Sequence, residues 1–370
     1  MTPSPPKVRV GLVGAGQWAA FGHVPALKSL PEYELYAVAT TRQETAHEAA
    51  DKFGILHAHV GADSLIASPD VDLVVVNNRA PEHFPVALAA IEAGKHVYCE
   101  WPLTTNTADS RTLLDAAEKA TVRHAVGLQR RMAASSGLLK RLLGEGYVGE
   151  VRSVHLHVTE PTYFQTRAKV LGFTVPGENF SSVVSIYGGH FFDMTFEAVG
   201  WPRELSAVLA NQFESVRLEE TGEILASTAP DQGLFSGTLD RGAVLSVHVE
   251  GGKRNGYGVR LEITGTEGDL RLTYAQAFSD TSDGILEGAR GSRVPLVELP
   301  IPEDLQWLSG SKLKGSVLEL ANLYAAFAKD ITEGTSHAPN FADGVRLHRL
   351  IDAVEESSES GRRVQAFAND

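Results

Sequence analysis

The chain has 370 residues, enough for two domains at roughly 150 residues each and for a sizeable core without disulfides or metals. Its 33 Lys and Arg against 46 Asp and Glu give a formal net charge of −13, an acidic balance that weighs against direct nucleic-acid binding. With 43% hydrophobic and 21% charged residues the composition is that of an ordinary soluble protein, and the single cysteine, Cys99, excludes an internal disulfide and a cysteine-built metal site. A reducing, cytoplasmic setting is expected. Met1 to Lys7 reads as a loose Pro-rich tail without the apolar core of a secretory signal, and no run of about 18 apolar residues offers a membrane span.

The first third alternates short apolar runs with amphipathic stretches. Val8–Val13 precedes a helical segment to Leu30; Leu35–Thr40 precedes a helix from Glu44 to Phe53; then comes Leu73–Val76. A helix over Glu82–Ala93 closes on Gly94, and is followed by Lys95–Glu100, a helix from about Asn106 to Ala120, and His124–Leu128. This alternation predicts an α/β Rossmann-type doubly wound parallel sheet over residues 1–130. Beyond it, the helix Leu138–Leu143 leads to strand-like runs at Glu150–Val158, Glu204–Phe213, Leu234–Leu239, Ala243–Glu250, Val259–Thr264 and Asp269–Thr273. Strands in succession without helices between them predict an α+β domain with a large, mostly antiparallel sheet over 131–370. Phe278–Pro302 reads as a long loop, and helices at Leu313–Glu333 and Ala342–Ser357 close the chain.

Val8–Val13 runs directly into Gly14-Ala15-Gly16-Gln17-Trp18-Ala19, a G-x-G-x-x-A loop that opens a helix. In a dinucleotide site the first glycine makes the turn, the second admits the pyrophosphate to the backbone, and the helix N-terminus faces the phosphates. Gly14, Gly16, Gln17 and Trp18 are therefore expected cofactor contacts. The second strand ends in Thr40-Thr41-Arg42, where an acidic residue would normally take the ribose hydroxyl of NAD. Two hydroxyls and a guanidinium suit a 2′-phosphate, so NADP is preferred over NAD, the alternative being that Arg42 is a solvated charge opening the next helix.

Further strings recur in order: His23-Val24-Pro25-Ala26-Leu27, Glu82-His83, Ala93-Gly94-Lys95-His96-Val97, Glu100-Trp101-Pro102, Gly127-Leu128-Gln129-Arg130-Arg131, Gly146–Val151, Gly188-Gly189-His190-Phe191-Phe192-Asp193, Asp343-Gly344 and Ser357–Arg362. Together with the glycine loop they resemble the glucose–fructose oxidoreductase/inositol dehydrogenase (Gfo/Idh/MocA) family over nearly the whole chain. The resemblance implies that family's fold and nicotinamide cofactor, and extends the expected cofactor contacts to Asn78, His83, Glu100, Trp101 and Gln129. Two departures stand out. Trp101 occupies the place of the family's strand-end lysine, and Ile186 the place of the aspartate four residues before His190. The Glu-Trp-Pro-Leu, Gly-Leu-Gln-Arg and Gly-Gly-His-x-x-Asp strings are similar to the subgroup containing the fungal galactose-gene repressor, which binds NADP without working as a dehydrogenase.

Oxidising a secondary alcohol needs a base beside the hydroxyl, and histidine is the side chain best poised for that near neutral pH. His190 is the expected catalytic residue, with Tyr187 or Tyr163 as hydrogen-bonding helpers and Asp193, one turn along, orienting it or capping the helix. Trp101, Arg130, Tyr163 and His190 are expected substrate contacts. Trp101 could stack on a ring or pack between domains, and Arg130 and Arg131 could bind an acidic group or stay solvated. Cys99 reads as a small buried hydrophobe. His57, His59 and His83 lack metal-ligand spacing, so no metal is expected. The expected function is hydride transfer on a sugar, cyclitol or related polyol-type small molecule. The alternative is an inactive NAD(P)-binding regulator acting through a protein partner. A sheet with one uncovered face suggests a homodimer or homotetramer.

Overall fold

The run Leu73-Val74-Val75-Val76 has no polar residue for either face, the composition of a strand covered on both sides. All four side chains are fully buried in the computed structural model, which describes residues 6–256, 258–279 and 281–367. The expected N-terminal tail lies, apart from Pro6 and Lys7, outside the described residues. Contacts divide the chain into two units: the described residues up to Gln129 with Trp307–Val345, and Arg130–Gln306 with the residues from Arg346 on. Trp307–Val345, expected in the second domain, thus clusters with the first. No helix among the described residues is long and apolar enough to cross a membrane.

In the first unit β1 (Val8–Val13), β2 (Tyr33–Thr40), β3 (His57–Val60), β4 (Leu73–Val76), β5 (His96–Cys99) and β6 (His124–Val126) pair in parallel in the order β3-β2-β1-β4-β5-β6. The order reverses between β1 and β4, and open α/β sheets bind their ligands at the carboxyl ends of strands at such a switch point. Between the strands lie α1 (Val24–Lys28), α2 (Gln43–Phe53), α3 (Ala62–Ile66), α4 (His83–Glu92) and α5 (Thr107–Ala120). Asn106 caps α5 by accepting from the Asp109 N–H at 2.8 Å, and Gly94, at φ +71°, ends the turn after α4. β3 and α3 escaped the sequence reading because His57-Ala58-His59-Val60 is a half-exposed edge strand without an apolar run.

The second unit opens with α6 (Ala134–Gly144) and β7 (Val151–Glu160). A small sheet joins β8 (Thr166–Arg167), β10 (Ser215–Leu218) and β11 (Ile224–Ala226), while α7 (Gly189–Val199) and β9 (Pro202–Ala210) lie between them in sequence. The large sheet adds β12 (Gln232–Leu239), β13 (Val244–Gly251), β14 (Gly258–Gly265), β15 (Gly268–Tyr274), β16 (Ile285–Arg290), β17 (Val297–Glu298) and β18 (Val364–Gln365) in the order β17-β16-β15-β14-β7-β13-β12-β9-β18. Its pairs are antiparallel except β7 with β13. β16 and β17 correct the expected loop over Phe278–Pro302, where Gly288 sits mid-strand because a Cβ there would lie 2.8 Å from Leu299.

Alternation along the strands turns Val154, Leu156 and Val158 of β7 inward with Phe235 of β12, whose ring meets Phe192 of α7 at 5.3 Å. On the other face Val208, Leu234 and Val244 stay half or more exposed. Two long helices follow, α8 (Gly315–Glu333) in the first unit and α9 (Phe341–Ser360), whose later turns belong to the second. Ser357 and Ser358 accept the Ala207 and Leu209 N–H groups at 2.9 and 2.8 Å, so two serines of the expected family string satisfy edge donors of β9.

Candidate functional site

The two glycines of the first loop are glycines for different reasons. Gly14 has φ +100°, and a Cβ on it would lie 2.7 Å from the Asn77 carbonyl oxygen, so the turn itself demands glycine. Gly16 has an ordinary φ, and its Cβ would meet no heavy atom within 4 Å. The fold leaves that space open directly before the helical turn that starts at Gln17. Gln17 is exposed, while Trp18 lies against Gly22, where a Cβ would come within 2.6 Å of the indole.

Around the carboxyl ends of the strands, Asn77 Nδ2, Asn78 Oδ1 and Gln129 Oε1 are buried without a hydrogen-bond partner among the described residues. Buried amide atoms normally find partners, so a cluster of unsatisfied ones marks a place where a ligand supplies them. With the open approach at Gly16, these groups fit a dinucleotide. Thr40 Oγ1 donates to the Arg42 carbonyl at 2.9 Å and so shapes the start of α2; Thr41 and Arg42 are exposed, and no carboxylate follows β2.

His83, expected as a cofactor contact, sits at the start of α4. It is buried, with Nδ1 2.8 Å from the Pro102 carbonyl and Nε2 3.0 Å from that of Asn78, and burial pushes its pKa down. Both ring nitrogens face backbone, so the side chain ties the Asn78 loop to the turn after β5. Glu100 belongs to a buried network the sequence did not reveal. Its carboxylate accepts the Tyr98 hydroxyl at 2.8 Å and stands 3.0 Å from His23 Nε2, while His23 Nδ1 lies 2.7 Å from the Tyr324 hydroxyl. His23 and Glu100 lie within quoted family strings, whereas Tyr98 and Tyr324 carried no signal. Trp101 is buried at 5% exposure, which leaves little of its indole for a ring to stack on, and the Trp101–Pro102 peptide is cis. Cys99 is buried as expected.

In the second unit His190 is the second residue of α7, but the helix does not start there. A π-helical turn, Val184–Gly188, runs into it without a break and carries Ile186 and Tyr187, so His190 and Asp193 are interior positions and Asp193 is no cap. His190 is buried with its ring edge-on to Phe278 at 4.8 Å. Phe278 also meets Tyr187 at 5.4 Å and carries the Arg130 guanidinium 4.5 Å above it. Arg130, expected as substrate contact or solvated charge, is 1% exposed and packed among aromatic rings.

Asp193, expected beside His190 as a catalytic group, receives Arg131 Nε at 2.7 Å on one oxygen and Arg131 Nη2 on the other. A fully buried carboxylate held by both arms of a guanidinium is a counter-ion and a poor proton carrier. Tyr163 donates its hydroxyl to the Ser181 carbonyl at 3.0 Å, and its ring lies 5.7 Å from that of Tyr187. Burial, with the Glu160 charge behind it, raises the Tyr187 pKa, so that phenol stays protonated. Glu160 itself is buried at the end of β7, its Oε1 accepting from the Thr162 backbone and hydroxyl, and burial raises its pKa. Its neighbourhood to Tyr187 had no signature in the sequence.

The strand order and glycine loop define an NAD-binding Rossmann fold. Residues 8–128 match the family model for the oxidoreductase family with that fold, and residues 137–274 match the model for the Gal80p C-terminal domain. The first of these models is that of the Gfo/Idh/MocA oxidoreductase family. It is 28% identical to the levoglucosan dehydrogenase of Pseudarthrobacter phenanthrenivorans, over 95% of this chain and 96% of that protein. To the galactose/lactose metabolism regulatory protein GAL80 of Saccharomyces cerevisiae it is 25% identical, over 97% and 94%. The dehydrogenase aclE of Aspergillus oryzae is 33% identical, over 50% of this chain and 53% of its own length, so the chain spans about half of that relative. Among solved structures, a super-repressor mutant of Gal80p from Saccharomyces cerevisiae superposes with a TM-score of 0.86 at 22% identity, covering 99% of this chain and 100% of that one. Levoglucosan dehydrogenase in complex with NADH and levoglucosan gives 0.85 at 24%, covering 98% and 100%. The family thus holds both dehydrogenases and regulators.

Proposed function

We propose that this chain is an NADP-preferring oxidoreductase acting on a sugar, cyclitol or related polyol in a reducing, cytoplasmic setting. The observation that carries the reading is the open space at Gly16, together with the unsatisfied amides of Asn77, Asn78 and Gln129 after β4 and β6 of the same sheet. Backbone N–H groups of Gly16, Gln17 and Trp18 would take the pyrophosphate, and Thr41 and Arg42 the 2′-phosphate. When bound, the nicotinamide supplies hydride exchange with one carbon of the substrate. His190 takes or returns the hydroxyl proton, since it is the imidazole among the expected site residues of the second unit; Tyr187, held as a phenol, donates a hydrogen bond. Titrating NADPH and NADH by fluorescence, then screening polyols at the nicotinamide absorbance, tests both halves of the reading. Tighter NADH binding would overturn the cofactor preference.

The second reading, a regulator that binds the nucleotide and acts through a protein partner, is favoured by two observations. A buried indole stands where the family lysine would move a proton, and Asp193, the acid one turn beyond His190, is tied to Arg131. Nucleotide binding with no turnover across the panel would establish it. The half-exposed Val208, Leu234 and Val244 support a homodimer or homotetramer through the large sheet, and light scattering that gives a monomer mass would refute that.

A further inference from the structure

The outer face of the large sheet gathers donors that neither nucleotide binding nor polyol chemistry uses. His157 on β7 stands opposite His248 on its parallel neighbour β13, their rings stacked with centroids 5.0 Å apart and 7° between planes. Glu250, two residues beyond His248 and so on the same face, brings Oε2 to 3.2 Å from His157 Nε2. One ligand atom from each of the three lies within 4.8 Å of the others. On the next strand Gln232 pairs with Glu250 in register and places Oε1 3.2 Å from His248 Nε2.

Two imidazoles and a carboxylate are the donor set that borderline divalent ions select. With metal–ligand bonds of about 2.0–2.1 Å, a tetrahedral site separates its ligand atoms by roughly 3.3 Å, close to the gap between His157 and Glu250. In the single chain the side chains are half-buried, at 42% exposure for His157 and 23% for Glu250, so an ion can reach them before any pairing of that face. The cations that face the cluster are Lys253, whose Nζ lies 3.0 Å from Glu250 Oε2, and Arg260, in register with His157 on β14 and engaged by Glu262. Lys253 shows that the carboxylate already attracts a cation, one that a metal must displace.

We propose that His157, His248 and Glu250 bind a divalent transition-metal ion of the zinc class, with Gln232 Oε1 or a water as fourth ligand and Lys253 leaving Glu250 as the ion enters. The site is independent of the oxidoreductase reading. Chelator-stripped full-length protein titrated with Co²⁺ should take up one ion per chain and develop the visible bands of a tetrahedral site, which Zn²⁺ should then bleach. His157→Gln and His248→Gln should each weaken uptake by at least about tenfold, since each removes a direct ligand, and Lys253→Met should strengthen it by removing the competitor. Lys253 is on the surface at 29% exposure, so that variant remains informative if a histidine variant fails to fold. Absence of stoichiometric uptake, unchanged bands in the histidine variants, or weaker binding in Lys253→Met would overturn the proposal.

Discussion

Replacing Gly14 by alanine and Gly16 by valine separates what the fold asks of the loop from what the nucleotide asks of it. At Gly14 the backbone sits at φ +100°, and the added Cβ would lie 2.7 Å from the Asn77 oxygen and 2.9 Å from its carbonyl carbon. Neither atom belongs to a flexible side chain. Conformational strain of about 1–2 kcal/mol and a backbone clash of similar size give a loss of roughly 2–4 kcal/mol. For a domain of this size that lowers the melting temperature by roughly 5–15 °C. At Gly16 a branched side chain meets no protein atom within 4 Å, so melting should stay within about 2 °C of the unmodified protein. Its cost appears when NADPH is titrated. Blocking the approach of the pyrophosphate removes charge-assisted hydrogen bonds worth about 1.5–3 kcal/mol, which weakens Kd roughly 10–100-fold. Thermal melts and fluorescence titrations on both variants decide the matter. A Gly16→Val protein that melts as low as Gly14→Ala, or binds NADPH as tightly as the unmodified protein, refutes the assignment.

Arg42→Asp should weaken NADPH binding by about tenfold or more and improve NADH; an unchanged preference would leave Arg42 a surface charge at the start of α2. His190→Ala should cut turnover by roughly 10²–10⁴-fold at unaltered NADPH affinity, and turnover at the original rate would move the proton to another group. Arg131→Ala leaves the buried Asp193 without its guanidinium and should cost about 3–5 kcal/mol in urea unfolding; a loss below about 1 kcal/mol would show that the pair is not what holds α7. His124 is pushed from 6.5 down to about 4 by burial and Arg123, against Asp343, and its Nδ1 accepts the Phe341 N–H at 3.1 Å. Because the unfolded chain then takes up the proton first, stability is complete above about pH 6.5 and falls toward pH 4 by up to about 3 kcal/mol. His348, pushed down to about 3 by burial, adds to the same acid limb, and urea midpoints that stay flat from pH 7 to 5 would contradict both.

β4 was legible to the residue because a strand buried on both faces excludes polar side chains, and β1 because its apolar run carries only Arg9 as an exception, whereas β3 offered two histidines at a half-exposed edge. β16 was hidden by the glycine and glutamate inside it, and β18 by its two-residue length. The return of Trp307–Val345 to the first unit has no local signal at all, since what decides it is α8 packing against α1 and the Val126 N–H reaching the Pro339 carbonyl at 2.9 Å. The candidate sites divide in the same way. A glycine loop is a local motif and reads directly. Arg131 and Asp193 are 62 residues apart, and His157 and Glu250 93 apart, so only the folded sheet and helices bring their chemistry together.

That division also explains why likeness of fold supports a dehydrogenase and a repressor equally. The Gal80p and levoglucosan dehydrogenase structures superpose on this chain almost equally well, with TM-scores of 0.86 and 0.85, and a shared scaffold does not choose between functions hosted on it. The choice falls to side chains on that scaffold. In the first unit the position of the family lysine is a buried indole, yet the Glu100 carboxylate beside it is held by Tyr98 and His23, with Tyr324 behind them. That strand end offers an ordered carboxylate and no amine. In the second unit, Ile186 carries no charge and Asp193 is engaged by Arg131, which leaves His190 as the group the oxidoreductase proposal depends on. Under the oxidoreductase reading proposed above, binding and turnover are therefore separable: changes in the glycine loop should move the first, and changes at His190, packed against Phe278, the second.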